Sequence, residues 1–155
     1  MTERIKKGDA SRQFSLKDQN GKEIRLSDLS GKRVLLSFHP LAWTSVCADQ
    51  MRSLEASKDE FDSLNAVAFG ISVDSVPCKK AWAESLGVEK TSLLADFWPH
   101  GGVADLYGLF RNDDGFSERA NILIGGNGKV EFVRVYELRK LPDINEIIGV
   151  LKSMR

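Results

Sequence analysis

The sequence predicts an α/β sandwich, a mixed central β-sheet flanked by helices with a hairpin at its N-terminal end. Three observations predict it. Val34-Leu35-Leu36-Ser37-Phe38 and Ala66-Val67-Ala68-Phe69-Gly70-Ile71-Ser72-Val73 are nearly continuous apolar runs of strand length, the pattern of strands covered on both faces. Each is followed by a stretch of helical periodicity, which gives a β-α-β-α order. Asn20-Gly21 near the start and Gly125-Gly126-Asn127-Gly128 near the end mark hairpin turns.

Taken along the chain, Phe14-Ser15-Leu16-Lys17 and Glu23-Ile24-Arg25-Leu26 flank the Asn-Gly turn and alternate polar with apolar residues, as paired strands do. Ser27-Asp28-Leu29-Ser30-Gly31 reads as a short helical turn closed by glycine. Pro40 ends the first buried strand, and a helix is expected over 45–64, because Cys47, Met51, Leu54, Phe61 and Leu64 recur on one face. After the second buried strand, Asp74 or Ser75 caps a helix with Pro77 in its first turn, and Gly87 stops it. Ser92-Leu93-Leu94-Ala95 is a short strand, 99–107 a helix ending at Gly108, Asn121-Ile122-Leu123-Ile124 and 130–136 a hairpin, and 142–154 a closing amphipathic helix. Alternating βα units imply parallel strands with right-handed crossovers, and the last hairpin adds an antiparallel part. That order is thioredoxin-like, in one domain over 1–155.

A chain of 155 residues with 42% hydrophobic and 28% charged residues can bury a core without disulfides or metal. Lys plus Arg and Asp plus Glu number 22 each, so no net charge draws the chain to nucleic acid or an anionic membrane. No apolar run nears the roughly 20 residues that span a bilayer. The charged start Met1-Thr2-Glu3-Arg4 lacks the apolar stretch of a secretion signal, and the expected location is cytoplasmic. Cys47 and Cys78 are the only cysteines. They form no Cys-x-x-Cys dithiol, and with two scattered histidines they make a poor zinc site.

The informative stretch is Pro40-Leu41-Ala42-Trp43-Thr44-Ser45-Val46-Cys47. With Thr44 or Ser45 as helix cap, Cys47 falls in the first turn, where free N–H groups and the helix dipole favour negative charge. A thiol so placed can titrate at about 3.5–7.5 instead of about 8.5, leaving it as nucleophilic thiolate at neutral pH. Taken alone, Cys47 reads equally well as a small buried hydrophobe.

Its neighbours change that balance. Pro-x-x-x-Thr-x-x-Cys, filled by Pro40, Thr44 and Cys47, resembles the active-site loop of the peroxiredoxins (AhpC/TSA family). Phe38, Trp43 and Gln50 fit the family's tendencies at their positions. Arg119-Ala120-Asn121-Ile122-Leu123-Ile124 resembles the family's Arg-led strand. The segments 93–101 and 107–110 resemble in particular its alkyl hydroperoxide reductase E-like, one-cysteine branch. The likeness runs over roughly 14–154.

The resemblance implies a cysteine peroxidase that reduces hydrogen peroxide or organic hydroperoxides. Cys47 would attack one peroxide oxygen and become a sulfenic acid, with Thr44 orienting the peroxide and Arg119 stabilising the thiolate and the leaving oxyanion. Gln50 would hold Arg119, and Pro40 would shield the sulfenic acid. Without the resemblance, Arg119 reads as a solvated arginine at a strand end. Cys78 is the candidate resolving thiol, and a structural role fits it equally well. His39 either tunes the thiolate, gates a reductant, or packs; Trp43 and Trp98 are candidate contacts of a homodimer, and Trp98 and His100 either shape the mouth of the site or form a dimer contact. No cofactor is implied, and electrons would come from thioredoxin, glutaredoxin or a low-molecular-weight thiol. Gly125-Gly126-Asn127-Gly128-Lys129 lacks P-loop spacing and reads as a turn. A redox sensor without turnover and a thiol–disulfide relay are the competing functions.

Overall fold

The computed structural model describes residues 2–154. The N-terminal hairpin forms as expected, β1 Ser15–Lys17 against β2 Glu23–Arg25, with Leu16 opposite Ile24. A single 3-10 turn, Leu26–Leu29, leads into β3 Arg33–Phe38. Then come α1 Ser45–Ala56, α2 Lys58–Ser63, β4 Ala66–Ser72, α3 Val76–Leu86, β5 Ser92–Ala95 and α4 Gly102–Leu106. A two-stranded ribbon of β6 Phe110–Arg111 and β7 Phe116–Ser117 precedes β8 Arg119–Ile124, β9 Val130–Tyr136 and α5 Ile144–Ser153.

Seven strands make one sheet in the order β2-β1-β5-β4-β3-β8-β9. β3, β4 and β5 run parallel, while β8 and β9 add an antiparallel edge and β1 joins β5 antiparallel. The mixed sheet and its thioredoxin-like order follow from the βα repeats and the closing hairpin. Alternation along β3 divides the core. Val34, Leu36 and Phe38 pack with Ile5, Phe69, Leu94 and Tyr107 on one face. Leu35 joins Cys47, Met51, Phe61, Trp82, Ile147 and Leu151 on the other.

Beneath α1 a row of partners crosses the sheet: Asn121 beside Ser37, Ser37 beside Gly70, Gly70 beside Leu93. A Cβ on Gly70 would sit 2.1 Å from Met51 Sδ and 3.0 Å from Leu93 Cδ2. The missing side chain is what lets the fully buried Met51 seat α1 on the sheet.

Two expectations need correction, and one element has no counterpart in the sequence pattern. The helix over 45–64 is two helices, because the Ser57 N–H is shared between the Ser53 and Leu54 carbonyls, both at 3.2 Å. The chain bends there so that Phe61 is buried against the sheet. The helix expected from Pro99 starts only at Gly102, since Gly101 takes a left-handed backbone (φ 66). Asp96 caps it, accepting from the Val103 and Ala104 N–H groups at 2.9 Å each. The β6–β7 ribbon was not expected at all; two residues per strand give no period to read.

Candidate active site

The carboxyl ends of β3 and β4 open onto the amino ends of α1 and α3, the edge where parallel α/β sheets place their ligand sites. Pro40, buried at the end of β3, starts the loop. Trp43 takes a left-handed backbone with φ 69, a conformation that costs a non-glycine residue about 1–2 kcal/mol. Two bonds hold the loop in that shape. The Ala42 N–H donates to Asp74 Oδ2 at 2.8 Å, and Thr44 Oγ1 donates to the Leu41 carbonyl at 2.8 Å. Asp74 is itself fixed by the Ser72 hydroxyl at 2.7 Å.

Thr44 occupies the cap position of α1, but its side chain makes no capping bond. The expected capping bond is absent, and the hydroxyl donates to the Leu41 carbonyl. Cys47 is the third residue of α1, inside the turn whose N–H groups lack intrahelical acceptors. Its side chain is fully buried.

Arg119, the first residue of β8, is 3% exposed, so the solvated-arginine reading does not describe it. Its Nη1 donates to Cys47 Sγ at 3.3 Å and to Gln50 Oε1 at 2.7 Å, and its Nε donates to the Leu138 carbonyl at 2.9 Å. Gln50 is fixed in turn, its Nε2 donating to Ser37 Oγ at 2.7 Å and to the Phe38 carbonyl at 3.2 Å. Ser37 Oγ donates to Asn121 Oδ1 at 2.7 Å. A buried chain from Asn121 through Ser37 and Gln50 thus orients one guanidinium at one sulfur. Sequence reasoning missed Ser37 and Asn121, although each is the polar break in an otherwise apolar strand and that break was legible. A cavity of about 260 Å³ opens above, lined by Pro40, Leu41, Thr44, Val46, Phe116, Arg119 and Leu138.

The other candidates lie beside this pocket. His39 is buried and turns toward α3, its ring centre 5.3 Å from that of Trp82. Its Nε2 is 3.0 Å from Lys79 Nζ. Burial above all, and then Lys79, holds its pKa well below the ordinary value, so the ring is neutral. Cys78 is half-buried beside Trp43, with its Sγ 3.8 Å from Asp74 Oδ1. Burial and then the Asp74 carboxylate push its thiol up. Trp43 is 58% and Trp98 81% exposed. His100 Nε2 bonds the Gly115 carbonyl at 2.7 Å, and its ring meets Phe110 edge-on. Asp49 is exposed and pairs with Arg52 at 3.4 Å. Among the described residues, no cluster of three or more His, Cys, Asp or Glu could hold a metal ion, and no helix is long and apolar enough to cross a membrane.

Comparison with known proteins bears on the family and the fold. Alkyl hydroperoxide reductase E of Mycobacterium tuberculosis is 34% identical over 137 residues, covering 88% of this chain and 89% of that protein. Bovine peroxiredoxin-2 is 31% identical over 140 residues, covering 86% and 69%. The crystal structure of peroxidoxin BcpB from M. tuberculosis superposes with a TM-score of 0.85 at 28% identity over 97% of this chain and 99% of that one. Reduced Plasmodium vivax 2-Cys peroxiredoxin does so at 0.86 and 28%, over 95% and 80%. The AhpC/TSA family pattern itself matches residues 7–133; with the fold agreeing, the chain belongs to the AhpC/TSA family, the peroxiredoxins.

Proposed function

We propose that this thiol-dependent peroxidase uses Cys47 as its peroxidatic nucleophile and an external thiol as its reductant. The observation that carries the reading is the Arg119 guanidinium 3.3 Å from Cys47 Sγ. A fixed cation beside a helix-terminal sulfur favours its thiolate, which is the attacking form. The Cys47 electron pair forms the S–O bond and the O–O bond breaks. Sulfur is oxidised to sulfenic acid, and the other oxygen leaves as hydroxide or alkoxide. Arg119 faces the charge at both ends of that transfer. Because Thr44 gives its own proton to Leu41, its oxygen is left to accept from the peroxide O–H and so orient it. Pro40 walls the pocket without offering an N–H.

Resolution falls to an outside thiol of the thioredoxin, glutaredoxin or low-molecular-weight class. Cys78 is disfavoured for it, since burial and Asp74 keep it a thiol and the attacking species in such an exchange is a thiolate. We place the protein in the cytoplasm, where such reductants are maintained. Homodimerisation is supported by an apolar patch at the start of α3. Trp98 and Phe97 share a cavity with Val76 there, and Trp43 lies against Cys78 two residues on.

The test is intact mass under non-reducing conditions after mixing reduced protein with one equivalent of hydrogen peroxide. Gain of one oxygen, lost in Cys47→Ser and kept in Cys78→Ser, is the expected result. A disulfide requiring both cysteines would make Cys78 the resolving residue. No rapid change on Cys47 would sink the peroxidase assignment of this residue.

A further inference from the structure

Asp74 lies between β4 and α3 and is not among the residues that line the pocket above Cys47. None of the ion pairs among the described residues includes it. What its carboxylate does is accept hydrogen bonds. Oδ2 takes the Ala42 N–H at 2.8 Å and the Ser72 hydroxyl at 2.7 Å, while Oδ1 lies 3.8 Å from Cys78 Sγ. Ala42 is 7% exposed, and a buried N–H left without an acceptor is costly. Asp74 therefore supplies the acceptor that the chain needs once β3 has ended at Phe38.

The two residues after Ala42 complete a chain of dependence. Trp43 takes its left-handed backbone, φ 69, which a bulky residue adopts only where the surrounding structure imposes it. Thr44 Oγ1 donates to the Leu41 carbonyl at 2.8 Å. That bond closes a ring whose backbone runs through Ala42 and Trp43, so the shape of these two residues decides whether the hydroxyl reaches its carbonyl. With its proton engaged on Leu41, the Thr44 hydroxyl offers the pocket its lone pairs alone. If Trp43 relaxed, the hydroxyl would part from Leu41, and its proton would be free to turn to Cys47 or to water.

We propose that Asp74 is a positioning residue for the peroxidase reaction: by holding the Ala42 N–H it keeps Trp43 left-handed and so presents the Thr44 hydroxyl to the peroxide as an acceptor. The inference rests on Cys47 being the nucleophile and Thr44 the group that orients the peroxide. Asp74 acts only through the backbone of the loop. That role needs an acceptor and not a charge, so asparagine, with one carbonyl oxygen in the same place, serves and alanine does not. Thr44 acts on the peroxide and not on the sulfur. Arg119 stays beside Cys47 without Asp74, because its other partners, Gln50 and the Leu138 carbonyl, lie outside the loop. Loss of Asp74 therefore slows attack on peroxide and spares the reactivity of Cys47 toward a reagent that Thr44 does not orient.

The experiment compares two reagents at one sulfur. Reduced wild type, Asp74→Ala and Asp74→Asn are mixed rapidly with hydrogen peroxide or with iodoacetamide and quenched, and the Cys47 peptide is followed by mass spectrometry. Asp74→Ala is expected to oxidise about 10- to 100-fold more slowly than wild type, the scale for a misplaced orienting group, while its Cys47 alkylates at the wild-type rate or faster. Asp74→Asn is expected to recover most of the oxidation rate. Oxidation of Asp74→Ala at the wild-type rate overturns the proposal. Equal loss toward both reagents also overturns it, because the sulfur itself would then have moved. So does an Asp74→Asn variant as slow as Asp74→Ala, since charge and not acceptance would then be at work. If Asp74→Ala does not fold, Ser72→Ala carries the test, because the carboxylate loses the hydroxyl that aims it at Ala42. Slower oxidation with alkylation held is expected there, and oxidation at the wild-type rate overturns the proposal. If peroxide leaves Cys47 of the wild type unchanged, the nucleophile assignment itself fails, a result distinct from any difference among the variants.

Discussion

Cys47 and Cys78 occupy matching places in the fold. Each is the third residue of a helix that follows one of two neighbouring parallel strands. The helix terminus acts on both sulfurs alike, yet their surroundings are opposite. Cys47 is fully buried and faces a guanidinium at 3.3 Å. Cys78 is half-buried and faces a carboxylate at 3.8 Å. The sign of the one nearest charge distinguishes the two sulfurs where helix position cannot. The two helices also serve each other, since Asp74, which after burial raises the Cys78 thiol, pins through the Ala42 N–H the loop that leads to Cys47.

The contrast can be attacked from either side. Cys47→Ser should reduce peroxide turnover to that of buffer, while Cys78→Ser keeps first-turnover oxidation; stopped-flow mixing with peroxide measures both, and equal losses would break the asymmetry. Arg119→Met should slow Cys47 oxidation by about 100- to 1,000-fold, the scale for losing a donor aimed at developing charge. A rate near wild type would remove the guanidinium from the argument. Gln50→Met leaves Ser37 and Arg119 short of a partner and should lower folding stability by about 1–3 kcal/mol, read by denaturant unfolding, with a smaller rate loss than Arg119→Met. Asp74→Asn should raise the alkylation rate of Cys78 by about 3- to 10-fold, because the raised thiol loses its anionic neighbour; labelling followed by mass spectrometry reports it. The last effect is one of pH. The buried Lys79 amine binds its proton at about 7 rather than 10.5, so between those values the unfolded chain holds the extra proton. Stability of the wild type relative to Lys79→Met should therefore rise with pH across that window, by at most about 1.4 kcal/mol per unit, and should level off below 7, where both states hold the proton.

Much of this was written in the sequence at the level of pattern. The runs 34–38 and 66–73 are apolar because both sheet faces are covered, and Ser75, Pro77 and Gly87 bracket α3 where they stand in the chain. The Pro40, Thr44 and Cys47 spacing located the sulfur. Arg119 was legible only through family likeness, because its contact with Cys47 depends on β8 pairing with β3 across more than half the chain. The break at Ser57 left no mark, since the apolar spacing continues through it. Lys79 was hidden for a different reason. It sits among Cys78, Lys80 and Glu84 on a helix that reads as solvent-facing there, and only packing against His39 and Trp82 shows that its turn points inward.

Gly70 touches no reacting atom and has no chemistry of its own. Yet the depth of Cys47 is fixed by how closely α1 lies on the sheet, and Met51, one turn beyond the cysteine, lies where a side chain at Gly70 would be. A survey that ranked positions by lost activity would place this glycine beside the catalytic residues. A single methyl group in the neighbouring strand would lift the helix and slide the sulfur away from a guanidinium that has not moved.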